Sequence, residues 1–198
     1  MHTYAKAETL TGAWLAPLGW VKSAALVVAF SLFIALSAQV VIPLPFTPIP
    51  ITLQTFAVLL TGALLGSRLG ALALVAYLVE GAVGLPFFRG GNGGWLYLML
   101  SPTAGYLLAY PLAAFLTGWL AERGWDRKFT TAAAAISLGS AVILFGGWLG
   151  LLRFQTAANA FALGVAPFIV GDIIKIALAA AALPSGWSLL RRKASPND

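Results

Sequence analysis

Asp172 and Lys175 stand three residues apart inside a long apolar run, and three apart on a helix means one shared face. Each charge at mid-membrane costs roughly 2.5 to 3.5 kcal/mol on insertion scales, so the two persist either because they neutralise each other or because they bind a polar ligand. Phe168 precedes Asp172 by one turn, and the face therefore offers an apolar wall, an acceptor and a three-donor cation in succession. Further hydrogen-bonding groups lie in two loops. Thr47, Thr52 and Gln54 sit beside Phe46 in a proline-rich stretch, and Arg89 and Asn92 sit among glycines that allow close backbone approach. Tyr106 is a further candidate contact. The rival accounts are a headgroup-facing Arg89, turn chemistry at Asn92, helix packing at Tyr106, and a helix end near the interface at Glu80.

Enzyme chemistries lack their parts. A Ser-His intramembrane hydrolase needs a membrane histidine, whereas the single histidine is His2. A paired-carboxylate protease needs a second membrane aspartate beside Asp172. The chain has no G-x-x-x-x-G-K-[ST] phosphate loop, and with no cysteine it has neither thiolate metal ligands nor a cysteine nucleophile. Binding or transport, without catalysis, metal or cofactor, is what remains.

The elements that must position these residues are membrane helices. Of 198 residues 60% are hydrophobic and 9% charged, against about a quarter charged in soluble domains, and the mean hydropathy is +0.91. The net charge of +6 does not gather into a nucleic-acid-binding patch; Lys and Arg punctuate the apolar runs instead. The runs predict an all-α membrane protein of six transmembrane helices, over residues 24–42, 51–65, 69–84, 103–120, 131–152 and 167–183. The first reads as a retained span rather than a cleaved leader, since Leu36 is too bulky for the position three before a cut at Ala38. The whole chain, 1–198, reads as one membrane domain: an interfacial N-terminal segment over 1–22, a six-helix bundle over 24–184, and a basic cytoplasmic tail over 185–198.

Pro43, Pro45, Pro48 and Pro50 predict a rigid extended loop. The stretch 85–102 reads as an ordered loop, too glycine-rich for a stable helix and anchored by Phe87, Phe88, Trp95 and Tyr97. Six spans put both termini on one side, together with Lys6, Lys22, Arg68, Arg123, Arg127, Lys128, Arg191, Arg192 and Lys193, leaving Arg89 and Arg153 opposite. By the positive-inside rule the termini are cytoplasmic. At about 1.5 Å per residue, Asp172 and Lys175 then lie roughly 7 and 12 Å inward from the outer face, where both loops can close over them.

Pro45-Phe46-Thr47-Pro48-Ile49-Pro50-Ile51-Thr52-Leu53-Gln54-Thr55, Gly84-Leu85-Pro86-Phe87, Ser101-Pro102-Thr103-Ala104-Gly105-Tyr106 and Gly171-Asp172-Ile173-Ile174-Lys175 together resemble the BioY family. Its members are biotin-specific substrate-binding (S) components of energy-coupling-factor (ECF) transporters, and the likeness runs from the first span to the sixth. Glu80 and Ser101 depart from the family's pattern, which carries an apolar residue and a glycine there. The resemblance implies a multi-pass protein of the prokaryotic plasma membrane with an S-component bundle. Its partners would be biotin, a transmembrane coupling subunit and two cytoplasmic ATPase subunits, and Asp172 and Lys175 would be ligand contacts. It also points to Ala25 and Ala29 as the small-residue stripe on which the coupling subunit docks, although four-residue spacing of alanines equally suits internal packing.

The chemistry of biotin suits these residues. Asp172 can accept from the ureido N–H groups, while Lys175 or Arg89 can meet the ureido carbonyl or the valerate carboxylate. The alternatives are an S component for another vitamin, and a membrane structural or assembly protein in which Asp172 and Lys175 simply pair.

Overall fold

The computed structural model describes residues 9–15 and 18–194, with side chains through residue 190. Residues 1–8 and 16–17 of the expected interfacial segment, Lys6 among them, lie outside the described residues, as do the side chains of Arg191, Arg192 and Lys193.

In chain order the elements are α1 (Leu10–Leu15), α2 (Trp20–Ser37), β1 (Val41–Ile42), β2 (Ile51–Thr52), α3 (Gln54–Leu65), α4 (Ser67–Ala82), α5 (Trp95–Leu100), α6 (Ala104–Glu122), α7 (Phe129–Leu151), α8 (Ala157–Gly164) and α9 (Phe168–Ala194). Short 3-10 turns lie at Arg89–Gly91 and Trp125–Arg127. The fold is helical, and among the described residues four helices, α2, α6, α7 and α9, are long and apolar enough to cross a membrane. The second and third predicted spans correspond to α3 and α4, which are shorter, at 12 and 16 residues.

Several boundaries differ from the sequence reading, each for a local reason. The first span was expected to run to residue 42, but α2 ends at Ser37. Val41 and Ile42 instead pair antiparallel with Thr52 and Ile51, because the prolines between them force an extended chain that a two-residue ladder can close. Within 85–102, the run Trp95–Leu100 is helical, since the glycines stop at Gly94 and six large side chains follow. A further helix, α8, precedes the last span, with Thr156 capping it by accepting from the Asn159 amide. The last helix does not end near residue 183. It continues through Pro184 to Ala194, and Trp187 and Leu190 on that extension are buried against the bundle.

Helix α6 is the centre, packed on α7, α3 and α4. In its most apolar window 61% of residues are buried, against 22% for α2 at the periphery. Lipid gives helices no hydrophobic drive toward one another, so close packing must hold them. A Cβ on Gly105 of α6 would strike the Gly146 carbonyl of α7, which is why the two backbones can touch there. The buried stripe of α7, Ala132, Ala135, Ile136, Gly139, Ser140, Ile143, Gly147 and Leu151, recurs at three- and four-residue spacing and faces this contact. Its opposite face carries exposed Leu138, Phe145 and Leu149.

Candidate functional site

At one end of the bundle α3, α6, α7 and α9, with the two loops, line a pocket whose empty space, its open mouth included, is about 580 Å³. Its apolar wall includes Ile49, Leu107, Ile143, Leu144 and Phe168, and its polar lining includes Thr52, Gln54, Thr55, Arg89, Asp172 and Lys175. Tyr97, Tyr106 and Tyr110 line it as well.

Asp172 is buried, and its Oδ2 accepts a hydrogen bond from the Ser140 hydroxyl of α7. Lys175 sends Nζ to the Thr55 hydroxyl of α3 at 2.7 Å and lies 3.5 Å from Asp172 Oδ1. The two charges thus share a face of α9, as their spacing demands, yet each makes its shorter bond to a hydroxyl on another helix.

Gln54, in the first turn of α3, donates to the Tyr77 hydroxyl at 2.7 Å, and Tyr77 in turn reaches the Phe87 carbonyl at 3.3 Å. One polar chain therefore ties α3, α4 and the glycine-rich loop, and Gln54 is its member in the cavity lining. That loop is held by aromatic contacts: Phe88 meets Tyr77 edge-on and stacks on Tyr97, with ring centroids 5.6 Å apart in both pairs. Gln39, just past α2, reaches the Phe88 carbonyl at 3.3 Å and accepts from the Gly91 amide at 2.9 Å. Gly91 has φ +73°, a conformation that favours glycine and lets this amide turn toward Gln39. Arg89 Nη1 lies 3.4 Å from the Pro48 carbonyl, bridging the two loops across the mouth.

The candidates from sequence therefore divide. Asp172, Lys175, Gln54, Arg89, Tyr106 and Phe168 come together around the cavity, with Thr52 beside them. Tyr106 contributes its ring, since its hydroxyl donates to the Gly164 carbonyl at the end of α8 at 2.5 Å. Gly147 leaves the room that this ring occupies. The ring meets Phe168 edge-on with centroids 6.5 Å apart. Phe46, Thr47 and Asn92 are not among the lining residues. Phe46 is 61% exposed, because it lies in the part of the loop that turns away from the bundle. Thr47 is buried beneath the loop, donating to the Leu163 carbonyl at 2.7 Å and accepting from the Ile49 amide, so it fastens the loop to α8. Asn92 closes its own turn by donating to the Arg89 carbonyl at 2.7 Å. Ala25 and Ala29 are both exposed on α2.

Sequence reasoning missed Thr55 and Ser140 as partners of the charged pair, and Tyr97 and Tyr110 in the lining. The Tyr97 hydroxyl is buried without a hydrogen-bond partner. Thr55 stood within the proline-threonine motif and was within reach of sequence reasoning; Ser140, one of two serines in the apolar run of α7, gave no such signal.

Residues 5–192 match the model of the BioY family. A probable biotin transporter BioY of Pyrococcus horikoshii is 41% identical over 158 residues, covering 80% of this chain and 91% of the relative. A biotin transporter BioY of Rhizobium etli is 37% identical over 178 residues, covering 83% and 93%. Among solved structures, the crystal structure of the S-component for biotin from an ECF-type ABC transporter superposes with a TM-score of 0.74 at 28% identity. That match covers 83% of this chain and 90% of the other.

Proposed function

The chain belongs to the BioY family, and from that premise we propose that it binds biotin in this cavity as the substrate-specific subunit of an ECF-type transporter. It takes up a vitamin and catalyses no reaction itself. The observation that carries the reading is the placement of one carboxylate and one ammonium, each held by a hydroxyl, at the edge of an otherwise apolar and aromatic cavity.

Biotin has a matching division of chemistry. Its ureido ring presents two N–H donors and one carbonyl, its thiophane ring is apolar, and its valerate chain ends in a carboxylate. Asp172 accepts from ureido N–H, and Lys175 donates to the ureido carbonyl. The thiophane ring lies against Phe168, Ile143 and Leu107. Arg89 takes the carboxylate at the mouth, because its side-chain hydrogen bond to the Pro48 carbonyl is long while Lys175 is already engaged within. Replacing the ligand carboxylate by an amide separates these roles. The resulting loss of affinity should vanish in Arg89→Gln; if it vanishes in Lys175→Gln instead, the carboxylate belongs to Lys175.

In the complete transporter the chain crosses the prokaryotic plasma membrane six times, α3 and α4 included, with both termini cytoplasmic and the cavity opening outward. Ala25 and Ala29 meet a transmembrane coupling subunit, which works with two cytoplasmic ATPase subunits. An equilibrium titration of the purified chain with biotin and several other vitamins tests the central claim. Saturable binding of biotin well ahead of the others is expected; tighter binding of a different vitamin would make this an S component for that compound.

A further inference from the structure

We infer that Ser140 and Thr55 are positioning residues that hold the charged pair of α9 apart, so that the cavity presents an open donor and acceptor before ligand arrives. The inference rests on the reading of the site as a biotin site. An aspartate and a lysine three apart on one helix have every electrostatic reason to close on each other, above all away from water. Here they do not close fully. The Nζ to Oδ1 separation is 3.5 Å, beyond the 2.7 to 2.9 Å of a good charge-assisted hydrogen bond.

The reason lies on two other helices. Ser140 projects from the buried stripe of α7 and donates to Asp172 Oδ2, leaving Oδ1 as the oxygen nearer Lys175. Thr55, in the first turn of α3, accepts from Lys175 at 2.7 Å and draws the ammonium to its own side of the cavity. Thr55, Asp172 and Lys175 all line that cavity, and Ser140 stands one turn before Ile143, which lines it too. An ammonium has three donors, and an ionised carboxylate has about four acceptor positions. A single hydroxyl bond on each partner leaves capacity on both. A cyclic urea can bridge the two from the cavity side, because it donates through N–H and accepts through C=O on adjacent atoms. Without the two hydroxyls the pair would close from 3.5 Å to a tight charge-assisted hydrogen bond, which the ligand would have to break before binding.

The test is a double-mutant cycle on biotin affinity, using the full chain, with thermal unfolding to establish that each variant is folded. Ser140→Ala and Thr55→Val should each weaken binding roughly ten-fold, about the effect of one hydrogen bond to a charged group. Thr55→Ser keeps the hydroxyl and should restore affinity to within about three-fold of the parent. In an Asp172→Asn background Ser140→Ala should cost less than about two-fold more, because its effect runs through the carboxylate. Variants that bind as the parent does, or a Ser140→Ala loss of equal size in both backgrounds, would overturn the positioning role while leaving the biotin reading standing. A parent that binds no biotin would sink that reading and this inference together.

Discussion

The two ends of the bundle use similar residues to opposite effect. At the cavity end, Asp172, Lys175 and Arg89 stand in a lined space, each with protein hydrogen bonds that leave part of its capacity over. At the remote end the charges are drawn into joints between helices. Glu122 at the end of α6 accepts both the amide and the hydroxyl of Ser67 and so caps α4. Asp126, in the turn before α7, is 1% exposed and accepts from Trp187 of α9 at 2.5 Å, while the Arg127 guanidinium lies over the same indole. Arg123 folds back on Trp119, its guanidinium 3.5 Å from the ring centroid. A charge that joins helices supports the fold; one left with free capacity beside a cavity can serve a ligand.

That contrast can be broken or sharpened experimentally, beginning with an all-or-none outcome. The native chain has no cysteine, so single cysteines report sidedness cleanly. On intact cells, an impermeant thiol reagent should label Asn92→Cys, in the exposed glycine loop, and spare Lys128→Cys at the remote end. Labelling in the reverse pattern would invert the orientation and detach the cavity from the outer face. Next, Ala29→Trp or Ala25→Trp should abolish uptake by the complete transporter while leaving biotin binding to the isolated chain nearly intact, since both alanines are exposed on peripheral α2. Loss of binding in an assembled complex would mean that this half of the molecule is not separate from the site.

A smaller, graded effect is expected within the cavity. Asp172→Asn and Lys175→Gln should each weaken biotin binding by about 1.5 to 3 kcal/mol, roughly ten- to a hundred-fold or more. Two folded single variants with parental affinity would remove the pair from the site. The mildest effect on ligand should come from Asp126→Asn at the remote end, where affinity stays near parental and the pH dependence of stability changes instead. Burial pushes the Asp126 carboxyl up to about 6, against the hydrogen bond from Trp187 and the nearby Arg127, which pull the other way. The raised value means that the fold favours the protonated form. This contribution to stability is present at low pH and is lost as pH rises from about 4 through 6. Thermal unfolding of the parent in detergent should register that loss between pH 4.5 and 7.5, and Asp126→Asn should flatten it. An unchanged slope in the variant would show that another group sets the pH response.

Much of this was legible in the chain. Apolar runs punctuated by Lys and Arg require a membrane protein whatever its tertiary structure, because so few charged residues cannot cover a water-exposed surface. Helical periodicity alone put Asp172, Lys175 and Phe168 on one face, and the proline and glycine clusters marked the loops that meet there. Periodicity is local, however, and it says least where a distant contact decides. Phe46 turns outward, Thr47 fastens its loop to α8, and α9 runs on past Pro184 because Trp187 and Leu190 have a buried place to go. The hydroxyls are the clearest case. Ser31, Thr61 and Thr117 bond the carbonyls of their own helices, at Val28, Ala57 and Ala113, as such residues do in apolar helices. Ser140 looks the same in sequence, yet it bonds across to Asp172. A hydroxyl in an apolar run can always satisfy itself within its own turn. Only the packing of α7 against α9 decides that this one reaches across to a neighbour's carboxylate instead.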